Sequence, residues 1–297
     1  MVFIDIYLFR QVIPHDFLTF RLIDLSTYRL MDLWTYGLMD LSTYQLITLL
    51  LQPNNLHVAN WTHFYLCRIE FLGFRFSGWQ KQNNVKTVHG MIDKTFEFVF
   101  GHTEFKTLGC GRTDAKVSAD DYAFELFLKS KMDADDVMQK VNYNLPADIR
   151  VKSIEQVDAG FNIIKDVVRK EYHYFFSGGS KTHPFNAPFI RCFEEELDVE
   201  KMQEAAALFV GKHHFGNYVV KPSESTVLER EIESACIEPN TKFRDHYTPA
   251  NSFVFKVRSK GFMRYQVRIM MGAIINVGAG IWTIDDIRKS FVESTPG

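Results

Sequence analysis

From residue 64 onward the spacing of apolar and polar positions predicts a succession of short elements. Phe64 to Phe71 alternates as a strand does, a glycine-containing turn follows, and Val88 to Val99 carries its apolar residues at helical spacing. A short strand runs to Leu108, the loop CGRTDAKVSA follows, and the aromatic-rich run Tyr122 to Leu128 predicts another strand. Asp133 to Val141 predicts a helix with Asp133 as its N-cap, and Lys170 to Phe176 alternates again. The second half repeats the plan, with a helix over Val199 to Val210, strands around Ile232 to Ile237 and Phe253 to Val257, and a long helix from about Arg264 to Val277. This order predicts an α+β fold of two similar halves with antiparallel sheets flanked by helices. Their boundary falls near residues 178–190, where Gly, Ser and Pro gather.

The first 58 residues read differently. Residues 21–44 are three near-copies of an octapeptide, RLIDLSTY, RLMDLWTY and GLMDLSTY. An eight-residue period turns a helix by about 80° per copy, so the leucines would spiral around it instead of forming a stripe. Residues 1–58 are therefore expected to be a repetitive leader outside the fold and dispensable to it, with 59–180 and 181–297 as the two halves of the body.

Composition narrows the class. Hydrophobic residues make up 46% and charged ones 24%, the balance of a folded protein rather than a disordered one. The 34 Lys and Arg against 36 Asp and Glu give a net charge of −2, and the leader's three basic and five acidic residues leave 31 of each in the body. No protein-wide field attracts phosphate, so any nucleic-acid site has to be local. Cys67, Cys110, Cys192 and Cys236 are too far apart for a C-x-x-C pair and too few for a secreted disulfide framework, which points to a reducing, cytoplasmic setting. No signal peptide is read at the start, and no apolar run approaches the roughly 20 residues that span a bilayer.

Three segments hold residues suited to chemistry. In Gly109 to Ala115, Asp114 stands between the two glycines Gly109 and Gly111 and a strand, with Arg112 and Thr113 beside it, where a carboxylate serves as nucleophile, base or turn-former. Lys256 to Arg268, KVRSKGFMRYQVR, holds five positive charges and no acid, either a solvated face or a phosphate-holding segment at a helix start. On the expected helix Arg264 and Arg268 lie four apart and share a face. Tyr172 and Tyr174 share one face of their strand, Glu171 and His173 the other, so the tyrosines serve as core packing or as a platform for a base. His213 and His214 lack zinc-site spacing, and no metal is assigned to them.

Taken in order along the chain, these segments resemble the TruA family of tRNA pseudouridine synthases. GRTDAKVSA at 111–119 is similar to that family's GRTDAGVHA. The support is RIEFLGFRFSGWQKQ at 68–82, NYNLPADIRV at 142–151, EYHY at 171–174, GKHHF at 211–215 and FMRYQVRIMMGAIINVG at 262–278. The resemblance implies a pseudouridine synthase fold and isomerisation of uridine in the anticodon stem-loop of tRNA, at positions 38–40, with no cofactor or metal. It puts Asp114 on the nucleophile, Tyr172 on the active-site tyrosine and Arg268 on the arginine that pairs with the aspartate. It makes Arg112, Lys116, Lys256, Arg258, Lys260 and Arg264 candidates for holding RNA.

The resemblance also implies a homodimer, and a closing strand for which the chain, stopping at Gly297, has no residues. Lys116 and Ser118 replace the family's usual Gly and His, and Leu72 stands where Asp is usual. The rival reading is a tRNA chaperone or other RNA-binding protein that keeps the fold without the chemistry.

Overall fold

The computed structural model describes residues 2–8, 61–244 and 246–291, and the octapeptide repeats lie outside them. Eleven strands and five helices make up the described α+β fold. In chain order these are β1 (Val2–Leu8), β2 (His63–Phe71), α1 (Val88–Phe100), β3 (Phe105–Gly109), β4 (Val117–Leu128), α2 (Ala134–Asn144), β5 (Ile149–Val157) and β6 (Val167–Ser177). There follow β7 (Arg191–Cys192), α3 (Val199–Ala207), β8 (Gly211–His214), β9 (Glu229–Ile232), β10 (Ser234–Pro239), β11 (Ser252–Ser259), α4 (Gln266–Gly278) and α5 (Ile284–Ser290).

Nine of the strands form one sheet with the order β10-β11-β6-β1-β4-β2-β5, in which β3 also pairs with β4 and β7 with β6. Most pairs are antiparallel, and β1–β4 and β6–β7 are parallel. A single sheet thus carries both halves. On one face, α1 and α2 cover a core that includes Ile69, Trp79, Ile92, Phe96, Phe124 and Val141. On the same face α3, α4 and α5 cover a second core around Phe176, Met202, Phe255, Met270, Ile274 and Ile287. Tyr172 and Tyr174 pack against both cores, at their seam. A smaller cluster of Phe3, Phe175, Ile190 and Val254 lies apart from these two.

Local chemistry accounts for the element ends. Thr87 caps α1 by accepting from the Gly90 N–H, and α1 stops at Gly101, whose φ of 72° suits glycine. Asp133 caps α2 as expected, accepting from the Asp135 and Asp136 N–H groups. Helix α4 starts at Gln266, two residues later than expected, because Tyr265 takes a left-handed conformation at its N-cap. Arg264 therefore precedes the helix instead of sharing a helical face with Arg268.

The main correction concerns the leader. Residues 2–8 do not stand outside the fold but form β1, paired on both sides between β4 and β6. VFIDIYL is apolar at nearly every position, the pattern of a strand buried on both faces. The octapeptide repeats that follow dominate a reading of the leader by period and hide it. With β1 in place, neither β4 nor β6 is an edge.

Candidate active site

The loop 110–116 leaves β3 at Gly109 and enters β4 at Val117. Strands β3 and β1 share one edge of β4, β3 along Phe124 to Leu128 and β1 along Val117 to Asp121, because β2 holds the other edge. The loop emerges at the seam between them. The Tyr122 hydroxyl donates to the Gly111 carbonyl, and Lys170 Nζ donates to the Cys110 carbonyl at 3.1 Å. The Trp79 N–H donates to the Thr113 carbonyl at 3.4 Å. This approach requires the preceding glycine, for a Cβ on Gly78 would stand 2.4 Å from that carbonyl and its φ is +92°. The GWQ segment thus serves to hold the Asp114 loop.

Asp114 faces a cleft of about 800 Å³ lined also by Arg112, Lys170, Tyr172, Arg264 and Arg268. Burial raises its pKa above the usual carboxylate value, and the charge of Arg268, the backbone N–H of Tyr265 and the charge of Arg264 pull it down. Tyr265 itself sits at φ 60°, a conformation costly for a bulky residue and typical of functional sites. Arg268, in the first turn of α4, donates to the Ala115 carbonyl at 2.5 Å. Its hydrogen bond goes to the backbone beside Asp114, and its charge acts on the carboxylate through space.

Tyr172 stands edge-on to Phe262, with ring centroids 5.0 Å apart. Burial, and after it the charge of Asp114, push its phenol well above the ordinary tyrosine value, so at neutral pH it is a neutral hydroxyl with an aromatic face. The three residues expected to carry chemistry, distant in sequence, thus meet in one cleft.

The RNA-contact candidates divide. Arg112 and Arg264 are exposed and line the cleft. Lys116 is exposed outside its lining, with Nζ 5.8 Å from the Phe74 ring centroid. Lys256 and Arg258 pair with His173 and Glu171 across β11 and β6, while Val257 pairs with Tyr172. Alternation therefore turns both basic side chains to the face away from the cleft. There Lys256 meets Glu238 at 2.6 Å, and Arg258 Nε meets Glu171 at 2.6 Å. Lys260 is exposed after β11 and does not line the cleft. His213 stacks on Phe291, and among the described residues no three metal-ligating side chains gather.

Two groups in the site were not singled out from sequence. Lys170 lies in the cleft wall, its pKa lowered by burial. Strand alternation puts it on the Tyr172 face two residues before that tyrosine, a signal the sequence does contain. Thr113 Oγ1 is buried with no partner among the described residues, and no sequence pattern announces it.

A family model described as tRNA pseudouridine synthase matches residues 205–296. Relatives named tRNA pseudouridine synthase A extend the likeness to most of the chain. The protein of Fervidobacterium nodosum is 30% identical over 218 residues, covering 73% of this chain and 85% of the relative. That of Mesoplasma florum is 31% identical over 217 residues, covering 71% and 82%.

The chain belongs to the tRNA pseudouridine synthase family. As an isomerase of this family it places a half-buried carboxylate, a neutral phenol and a guanidinium around one cleft. The family model covers α4 and Arg268 but neither Asp114 nor Tyr172, which the longer relatives must account for. The Limosilactobacillus fermentum relative, 30% identical, spans 76% of the chain.

Proposed function

We propose that this cleft converts uridine to pseudouridine at positions 38–40 of the tRNA anticodon arm, with Asp114 as the nucleophile. The observation that carries the reading is the meeting of Asp114, Tyr172 and Arg268 in one cleft. In the isomerisation the N1–C1′ bond of uridine breaks and a C5–C1′ bond forms. C5 loses a proton, N1 gains one, and nothing is oxidised or reduced. Asp114 adds to the nucleotide and leaves again, which requires its ionised form. The Arg268 charge and the Tyr265 N–H favour that form against the burial that opposes it.

Tyr172 supplies an aromatic face for the base and a hydroxyl toward the ring. A stacked uridine has to leave its helix to enter the cleft, at a cost of a few kcal/mol. Arg112 and Arg264, exposed at the cleft, are placed to hold the phosphates around the flipped nucleotide. In this reading residues 59–180 are the half that bears the nucleophile, and 181–297 the half that brings Arg264 and Arg268. The active species is a homodimer, which light scattering checks against twice the chain mass of 34.6 kDa.

The test is to treat unmodified tRNA with the purified full chain and map pseudouridine by mass spectrometry. Pseudouridine confined to positions 38–40 is the expected result. Stable tRNA binding with no new pseudouridine would replace this reading with that of a non-catalytic RNA-binding protein.

A further inference from the structure

The strand β1 takes no part in the chemistry just derived, yet it joins the two strands that carry it. On one side it runs parallel to the start of β4, with Val2 opposite Val117, Phe3 opposite Ser118 and Ile4 opposite Ala119. Val117 lies three residues beyond Asp114 and donates its N–H to the Asp114 carbonyl at 3.3 Å. On the other side β1 is antiparallel to β6, with Ile4 opposite Tyr172 and Val2 opposite Tyr174. In the strand order β4 and β6 meet only through β1.

Both faces of the strand are anchored. Val2, Ile4 and Ile6 are buried in the core shared with Tyr172, and Val2 also lines the cleft. On the opposite face Phe3 stands edge-on to Phe175 at 5.6 Å and lies 5.4 Å from Phe243, centroid to centroid. Asp5 reaches His173 at 4.0 Å.

We infer that β1 is a positioning element of the catalytic cleft, setting the separation between the Asp114 loop and Tyr172; the inference rests on the function proposed above. Neighbouring strands lie roughly 4.8 Å apart, so β4 and β6 stand about 10 Å apart across β1. Without it, either their facing edges are left unpaired or they draw together by about 5 Å. A misplacement of about 1 Å at reacting atoms already costs roughly a hundredfold in rate. The strand that holds this distance is encoded ahead of the octapeptide repeats, in the part of the chain that sequence patterning sets aside.

The experiment uses the full chain and tRNA labelled with tritium at uridine C5, under single-turnover conditions. Ile4→Asn puts an amide at a buried position of β1. Its rate constant for tritium release should fall at least tenfold, while RNA affinity and the stoichiometric end point of RNA titration stay within twofold of wild type. Adding Phe3→Cys with His173→Cys, a directly paired couple on the face away from the cleft, and closing their disulfide should restore the rate to within threefold. Reduction should remove that rescue.

A wild-type rate in Ile4→Asn would overturn the inference. So would a lower titration end point with an unchanged rate constant, because that pattern reports lost folded protein and not a displaced loop. Amide exchange on the wild-type chain serves if the variant does not fold. Protection of residues 3–6 matching that of β4 and β6 supports a seated strand, and exchange within seconds in turning-over enzyme overturns it. A wild-type chain that releases no tritium fails the proposed function instead, and amide exchange then decides whether β1 is seated.

Discussion

Arg268 donates to the Ala115 carbonyl at 2.5 Å, one residue beyond Asp114, so α4 grips the Asp114 loop by its backbone while its charge lowers the pKa of the carboxylate through space. One guanidinium thereby does two things, holding the loop and opposing the burial that raises the Asp114 pKa.

The two roles separate by mutation. Arg268→Met removes the charge that lowers the Asp114 pKa and leaves the burial that raises it. The folded-state pKa then rises further, so the acid limb of the rate–pH profile should move to higher pH, with a rate loss of roughly a hundredfold at its plateau. Arg268→Lys keeps a cation without the planar fork, and should lose rate with a smaller movement of the limb. An unmoved limb in Arg268→Met would show that Asp114 does not feel this charge.

The basic residues should behave according to the face of the sheet they occupy. Arg112→Ala with Arg264→Ala should weaken tRNA binding at least tenfold and flatten its salt dependence, since each phosphate contact releases counterion. Lys256→Gln with Arg258→Gln should leave affinity within about twofold, on the same principle that only phosphate contacts release counterion. Filter binding across a salt series measures both. A larger loss from the second pair would put RNA on the far face of the sheet.

Lys116 sits at φ 64° in the loop, where a residue with a Cβ is strained. The left-handed conformation costs a non-glycine residue about 1–2 kcal/mol, and the greater freedom of glycine in the unfolded chain offsets part of the gain. Lys116→Gly should therefore stabilise the protein by up to about 1 kcal/mol, read as a higher midpoint in thermal unfolding. A lower midpoint would mean that the Lys116 side chain contributes more than its backbone strain costs.

Lys170 tests the support under the loop. Lys170→Met keeps most of the unbranched side chain and removes the donor to the Cys110 carbonyl. Burial lowers the pKa of this lysine, so its charge is held at a cost and the variant should unfold no earlier than wild type. Tritium release should nonetheless slow about tenfold as the loop loosens, in line with the cost of misplaced reacting groups. An unchanged rate would make Lys170 a packing residue only.

Much of this architecture was legible in the sequence, because local signals and the fold agree. The alternation of RKEYHYFF put Tyr172 on one face and His173 on the other, as the pairing of β6 with β1 and β11 has it. The cap at Asp133 and the helix from Val88 were readable for the same reason. What escaped depends on long-range pairing. Nothing local says that Val2–Leu8 inserts between β4 and β6, or that the lysine and arginine of KVR turn away from the cleft until the partner strand is known. The late start of α4 escaped because the left-handed turn at Tyr265 falls on a residue type that rarely adopts it.

The measurement closest to the proposed chemistry compares wild type with Asp114→Asn, using tritium release from tRNA labelled at uridine C5 alongside tRNA affinity. The amide keeps the shape of the side chain and loses its nucleophilic charge. Tritium release in wild type, none detectable in Asp114→Asn, and affinities within about threefold of each other are expected if Asp114 acts only in the chemical step. Release by Asp114→Asn within tenfold of wild type would contradict Asp114 as the nucleophile.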